Sequence, residues 1–148
     1  MRAVADVARA LESGYAGRVE NDEIRRAIVQ RFGHDPRVAA VYLFGSRARG
    51  TARPDSDVDL GVLYRTAPPR TLLEQPFGAQ EELAHELGAP VQVVVMNTAP
   101  VDLIHRVLRD GQLLYEADRS ARIAFEVDAR NGYFDLLPVL EQYRRPST

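Results

Sequence analysis

Ile24, Ile28 and Phe32 recur at intervals of four residues, which predicts a helix with one apolar face. Asn21 suits its N-cap, Asp22 and Glu23 its first turn, and Gly33 its end, so the expected helix runs from Asn21 to about Phe32. After Pro36 the pattern changes to an unbroken apolar run, Val38 to Phe44, expected as a buried strand that stops at Gly45. A polar loop over 46–56 leads to a second expected strand, Val58–Tyr64, and the two strands with their long connection read as a hairpin-like unit. Helical spacing returns over about 75–87 through Leu83 and Leu87, closed by Gly88 and Pro90. Val91–Met96 is a third expected strand, apolar except for Gln92.

Beyond it, a helix is expected over about 100–109, a short edge strand over Gln112–Tyr115, and a last helical region from about Asp118 or Ser120. Gly132 and Pro138 predict a break in that last helix. Ile123, Val127, Phe134 and Leu137 read as core positions there, and Tyr143 with Arg144 and Arg145 as a mobile tail. At the other end, residues 1–20 read as a helix or a frayed arm. The organisation is therefore an arm over 1–20, one domain over 21–116 and a helical extension over 117–148 packed on it.

Composition narrows the chemistry. The 148 residues are 45% hydrophobic and 27% charged, which suits one globular core. Cysteine is absent, which removes thiol nucleophiles, disulfides and thiolate metal sites. All 19 basic residues are arginine, a bias that coding composition explains. It nevertheless excludes lysine-dependent chemistry, and phosphate must be held by arginine or backbone. The net charge of −2 gives no general basic field, so direct nucleic-acid binding is not expected. No long apolar core precedes Glu12, so no signal peptide is expected, and the longest apolar run, Val38–Phe44, is too short for a membrane span; the expected location is cytoplasmic.

The residues that carry chemistry are Gly45-Ser46-Arg47-Ala48-Arg49-Gly50 and, further on, Ser56-Asp57-Val58-Asp59-Leu60. A glycine and a serine directly after a buried strand let backbone amides and a hydroxyl approach a phosphate, with Arg47 and Arg49 within reach of its oxygens. Asp57 and Asp59 are two apart on a strand, so both carboxylates project from one face. Two carboxylates about 4 Å apart repel by about 4 kcal/mol at an effective dielectric of about 20, a cost that a cation between them removes. Magnesium fits best, because it takes a few carboxylates and completes its shell with phosphate oxygens and water. Arg53 reads as surface and Asp55, after Pro54, as a turn or capping residue. His34, His85 and His105 have no metal-ligand spacing.

Gly45-Ser46, ten residues, then Asp57-Val58-Asp59 resembles the signature of the nucleotidyltransferase superfamily related to DNA polymerase beta. The short form, Gly-Ser-Arg-Ala-Arg-Gly with Ser-Asp-Val-Asp-Leu, is similar to the minimal nucleotidyltransferase (MNT) domains. The resemblance spans about residues 22–116. It implies an α/β nucleotidyltransferase fold, a mixed sheet backed by helices, with Mg2+ and with ATP as nucleotide donor. Many such short proteins are antitoxins that neutralise a co-encoded HEPN-domain toxin, an RNase, by AMP transfer to a toxin tyrosine or by binding in a hetero-oligomer. Carried over by position, Gly45 and Ser46 bind the nucleotide phosphates, Asp57 and Asp59 hold the metal and serve catalysis, and Arg47 and Arg49 contact phosphate or partner.

The superfamily has a third aspartate on the neighbouring strand, and here that place falls on Gln92. Glutamine offers a carbonyl oxygen but takes no proton, and loss of a positioned base costs about 10²–10⁴ in rate. Two readings therefore stand: an active adenylyltransferase antitoxin, and a catalytically impaired protein of the same fold that occludes its partner.

Overall fold

A computed structural model describes residues 20–53, 56–69 and 76–144. Residues 1–19 of the expected arm, Pro54, Asp55 and Arg145 lie outside the described residues. Helix α1 spans Asn21–Phe32 and buries Ile24, Ala27, Ile28 and Phe32, the four-residue stripe of the sequence. Its cap is Glu20 and not Asn21: the first helical bond runs from the Ile24 amide to the Glu20 carbonyl, which makes Asn21 the first helical residue.

Strand β1 (Val38–Phe44) is followed by the single turn α2 (Ser46–Arg49) and by β2 (Val58–Tyr64). Helix α3 (Phe77–Leu87) leads to β3 (Val91–Val95), helix α4 (Val101–Asp110) to the edge strand β4 (Gln112–Glu116), and α5 spans Arg119–Arg144. The four strands form one mixed α/β sheet in the order β3-β2-β1-β4. The β1–β2 and β1–β4 pairs are antiparallel and β2–β3 is parallel. Strand β3 ends one residue earlier than the apolar pattern predicts, because Met96 opens a 3-10 turn to Thr98. That turn swings the Asn97 side chain into the ladder, where it accepts from the Tyr64 amide at 2.9 Å and donates to the Tyr64 carbonyl at 2.8 Å.

Alternation along the strands divides the core. Val41, Leu43, Val58, Leu60 and Val62 pack with the stripe of α1 and with Leu83 of α3 on one face. Ala40, Tyr42, Leu63 and Met96 pack with Ile104 and Val107 of α4 on the other. By the same alternation Asp57 and Asp59 stand on the Leu63 face, toward the end of the sheet where β1 stops.

Three expectations for α5 are corrected. The helix runs unbroken through Gly132 and Pro138. Proline removes one helical bond, to the carbonyl of Phe134, but Phe134 and Pro138 are both exposed, so that carbonyl lies on the solvent side of the helix. Contacts distant in sequence hold the helix on both sides of Pro138: Tyr133 stacks on His105 with ring centroids 3.6 Å apart, and Arg144 pairs with Asp102 at 3.5 Å. The second contact also places Tyr143 and Arg144 in the helix and not in a tail. Ile123, Val127 and Phe134 are exposed, since the helix turns Ala121, Phe125 and Ala129 toward the sheet.

Polar contacts fasten α5 as well. Tyr42 Oη donates to Glu126 at 2.9 Å, and Arg122 bridges Glu126 and Glu116. Burial, and then the Glu126 carboxylate, push the Tyr42 phenol well above its ordinary value, so it stays a donor. Among the described residues no helix is long and apolar enough to cross a membrane.

Candidate functional site: a glycine turn against paired carboxylates

Buried strand β1 ends at Phe44, and Gly45 reverses the chain with φ +73°. Only glycine serves there, for two reasons. The backbone is in a region that L side chains rarely adopt, and a Cβ at Gly45 would collide with Oδ2 of Asp59. The glycine thus brings the turn into contact with the carboxylate strand. Amides of Ala48 and Arg49 return to the Gly45 carbonyl at 3.2 Å each, and Gly50, also at φ +73°, ends the turn. Gln112 Nε2 donates to the Ala48 carbonyl at 3.1 Å and ties the turn to β4.

Register sets the carboxylates. Asp59 lies opposite Phe44 of β1 on one side and opposite Gln92 of β3 on the other. Gln92 is therefore beside Asp59 on the same face, and its side chain is exposed. Asp57 is exposed and Asp59 half-buried. Gly45, Ser46, Arg49, Ser56, Asp57 and Asp59 line one open depression of about 470 Å³. Desolvation first, and the Asp57 charge second, raise the Asp59 carboxyl above its ordinary value, against the pull of Arg47 and Arg49.

The sequence grouped Arg47 with Arg49 as phosphate contacts, and the structure separates them. Arg49 is exposed on the rim of the depression. Arg47 is buried at 6% exposure, and its Nε and Nη2 donate to the Ser56 carbonyl at 3.1 and 2.6 Å. Residues two apart in a helical turn point to different sides, which is the signal that could have separated them. Ser56, which the sequence reading gave no role of its own, is the residue that this contact holds.

Two acidic side chains that share a face, one of them carrying an electrostatic penalty, fit a hard divalent cation whose other ligands come from phosphate and water. Among the described residues no group of three or more histidine, cysteine or acidic side chains is placed to hold a metal by itself. Asp57 and Asp59 could supply two oxygen ligands to such a cation, with its remaining ligands coming from outside the protein.

A family model described as polymerase beta, nucleotidyltransferase, matches residues 26–120. The chain belongs to that nucleotidyltransferase family. The matched segment takes in the glycine turn, both aspartates, Gln92 and all four strands, and it ends at the start of α5. Among curated proteins none matches the chain. Solved structures share the nucleotidyltransferase fold. A chain of a toxin–antitoxin crystal structure with AMP-PNP is 21% identical, with a TM-score of 0.65, over 82% of this chain and 98% of that one. A structure of tri-AMPylated Shewanella oneidensis HEPN toxin with MNT antitoxin matches at 19% identity and a TM-score of 0.60, over 82% of this chain and 96% of that one. A mutant toxin–antitoxin structure matches at 20% identity and a TM-score of 0.63, over 86% and 100%.

Proposed function

We propose that this nucleotidyltransferase is an MNT-type antitoxin that neutralises a co-encoded HEPN-domain RNase by transferring AMP from magnesium-bound ATP to a toxin tyrosine. The observation that carries the reading is the close approach of Gly45 to Asp59, which brings the glycine turn and the paired carboxylates into one depression. Likeness of fold to chains from toxin–antitoxin structures, one with AMP-PNP and one with an AMPylated toxin, supports the choice of nucleotide and partner.

In this reading Gly45 and Ser46 hold the triphosphate through backbone amides and the serine hydroxyl, and Arg49 on the rim contacts its oxygens. Asp57 and Asp59 would hold magnesium, which would supply positive charge to the α-phosphate under attack and to the departing pyrophosphate. Gln92, beside Asp59, accepts a hydrogen bond from the incoming hydroxyl and orients it; as the phenol oxygen bonds to the α-phosphorus, the bond from that phosphorus to pyrophosphate breaks, pyrophosphate leaves, and the phenol proton passes to solvent. A tyrosine acceptor suits such a site, because a phenol with a pKa of about 10 gives up its proton far more readily than an aliphatic alcohol.

The place of Gln92 also favours a second reading, in which the protein binds and occludes its partner and retains nucleotide without transfer. Intact mass spectrometry of the adjacent gene product, mixed with this protein with and without magnesium-ATP, separates the two. Transfer adds AMP units to the partner and is lost in Asp57→Ala. Occlusion leaves the partner mass unchanged within a stable complex, and Gln92→Asp then restores transfer.

A further inference from the structure

Arg47 presents an unusual expenditure of charge. A guanidinium is costly to bury unless its donors are used, and an exposed arginine such as Arg49 suffices for a phosphate. Yet Arg47 is 6% exposed, and two of its donors converge on one acceptor, the Ser56 carbonyl, at 3.1 and 2.6 Å. That oxygen shares a rigid peptide plane with the Asp57 amide nitrogen, so holding it fixes the direction in which Asp57 leaves the loop.

Other bonds hold the same segment. The Ser56 amide donates to the Arg53 carbonyl at 3.0 Å, Ser56 Oγ accepts from the Arg53 amide at 2.7 Å, and the Val58 amide donates to the Pro90 carbonyl at 2.8 Å. Arg47 itself stands in α2, directly after the two residues that line the depression from the other side. One side chain thus spans the two walls of the site.

We propose that Arg47 is a positioning residue. It locks the glycine turn to the start of β2, so that Asp57 is held ready for the cation, while Arg49 serves the phosphates. The consequence for nucleotide binding rests on the proposed function; the lock itself does not.

Two measurements on the full chain test this. The first is hydrogen exchange at the Ser56 and Val58 amides, expected to accelerate in Arg47→Gln and to stay unchanged in Arg49→Gln. The second is calorimetric binding of AMP-PNP with and without magnesium. Removal of groups that orient metal ligands costs about 10–100-fold in metal affinity. Arg47→Gln is accordingly expected to lose at least about ten-fold in affinity with magnesium and to match wild type without it. The double variant Arg47→Gln/Asp57→Asn should bind no more weakly than Asp57→Asn alone, because Arg47 acts through Asp57. Arg49→Gln should lose affinity in both conditions and add to Asp57→Asn.

Unchanged exchange at Ser56 and Val58 in Arg47→Gln, or a magnesium-independent loss that adds to Asp57→Asn, would overturn the proposal. Wild type that binds no magnesium–AMP-PNP would overturn the proposed function instead, and the exchange result would still decide the lock. If Arg47→Gln does not fold, Arg47→Lys, which keeps the charge but not the planar fork of donors, takes the same two measurements with the same expected directions.

Discussion

On the face of the sheet covered by α1 and α3, Ile24, Ile28, Leu60, Val62 and Leu83 are completely shielded from solvent, and apolar packing closes the layer. On the opposite face, α5 buries no residue fully: it packs Ala121, Phe125 and Ala129 on the cluster around Tyr42, Leu63 and Met96 and is fastened by Tyr42, Glu126 and Arg122, while the row Gln92, Asp59, Phe44 ends at an open depression. The difference divides the labour of one small sheet. The closed face, with the apolar cluster under α4, supplies the stability that lets the end of the other face where β1 stops keep charged groups together at the surface. The same strands serve both, since alternate positions along β2 and the residue leading into it belong to opposite faces: Val58 and Leu60 to the core, Asp57 and Asp59 to the site.

Substitutions can break that division. The largest stability effect is expected from Ile28→Ala on the closed face, about 2–5 kcal/mol by the usual cost of a large-to-small change in a packed core. Chemical denaturation would read it, and the folded fraction should still bind nucleotide at wild-type strength. Gly45→Ala is next. Backbone strain of about 1–3 kcal/mol is expected at its positive φ, and the new methyl must displace the Asp59 carboxylate. Thermal melting should therefore show a modest loss, whereas titration with magnesium–AMP-PNP should show binding abolished. Equal nucleotide binding in Gly45→Ala and wild type would mean that the close contact has no part in the site.

The smallest effect sharpens the electrostatics. The folded-state carboxyl of Asp59 titrates above its ordinary value, so between those two values the folded protein binds more protons than the unfolded chain. Without metal, Asp59 therefore costs stability as pH rises through that window, and the cost is fully present above it. Asp59→Asn should melt slightly higher than wild type at neutral pH in EDTA, with the gain vanishing below the ordinary aspartate pKa. Magnesium should raise the wild type and leave the variant less affected.

The closed face was legible in the sequence because its signals are local. An apolar run gives β1, a four-residue interval gives α1, and glycines mark their ends. The paired aspartates were legible in the same way, since residues two apart share a strand face. What the sequence could not carry was the partner of each residue across space. Arg47 and Arg49 look alike until the Ser56 carbonyl is seen to claim one of them. Pro138 reads as a break until Arg144 is found against Asp102 beyond it. The apolar residues of α5 read as core, but the phase of that helix is set by where Tyr42 and Glu126 meet. The neighbour of Asp59 on β3 depends on a parallel register that no local pattern contains, and only the family resemblance pointed to Gln92 there.

In the proposed function the glycine turn and the two aspartates form one magnesium–nucleotide site on the open face. A crystal structure of the protein grown with manganese and AMP-PNP, with anomalous data at the manganese edge, tests it most directly. The account predicts an anomalous peak bonded to carboxylate oxygens of both Asp57 and Asp59, with the triphosphate against Gly45 and Ser46. Nucleotide seated elsewhere, such as the cavity of about 520 Å³ beside Phe32 and Tyr64, with no manganese between the two aspartates, would contradict it.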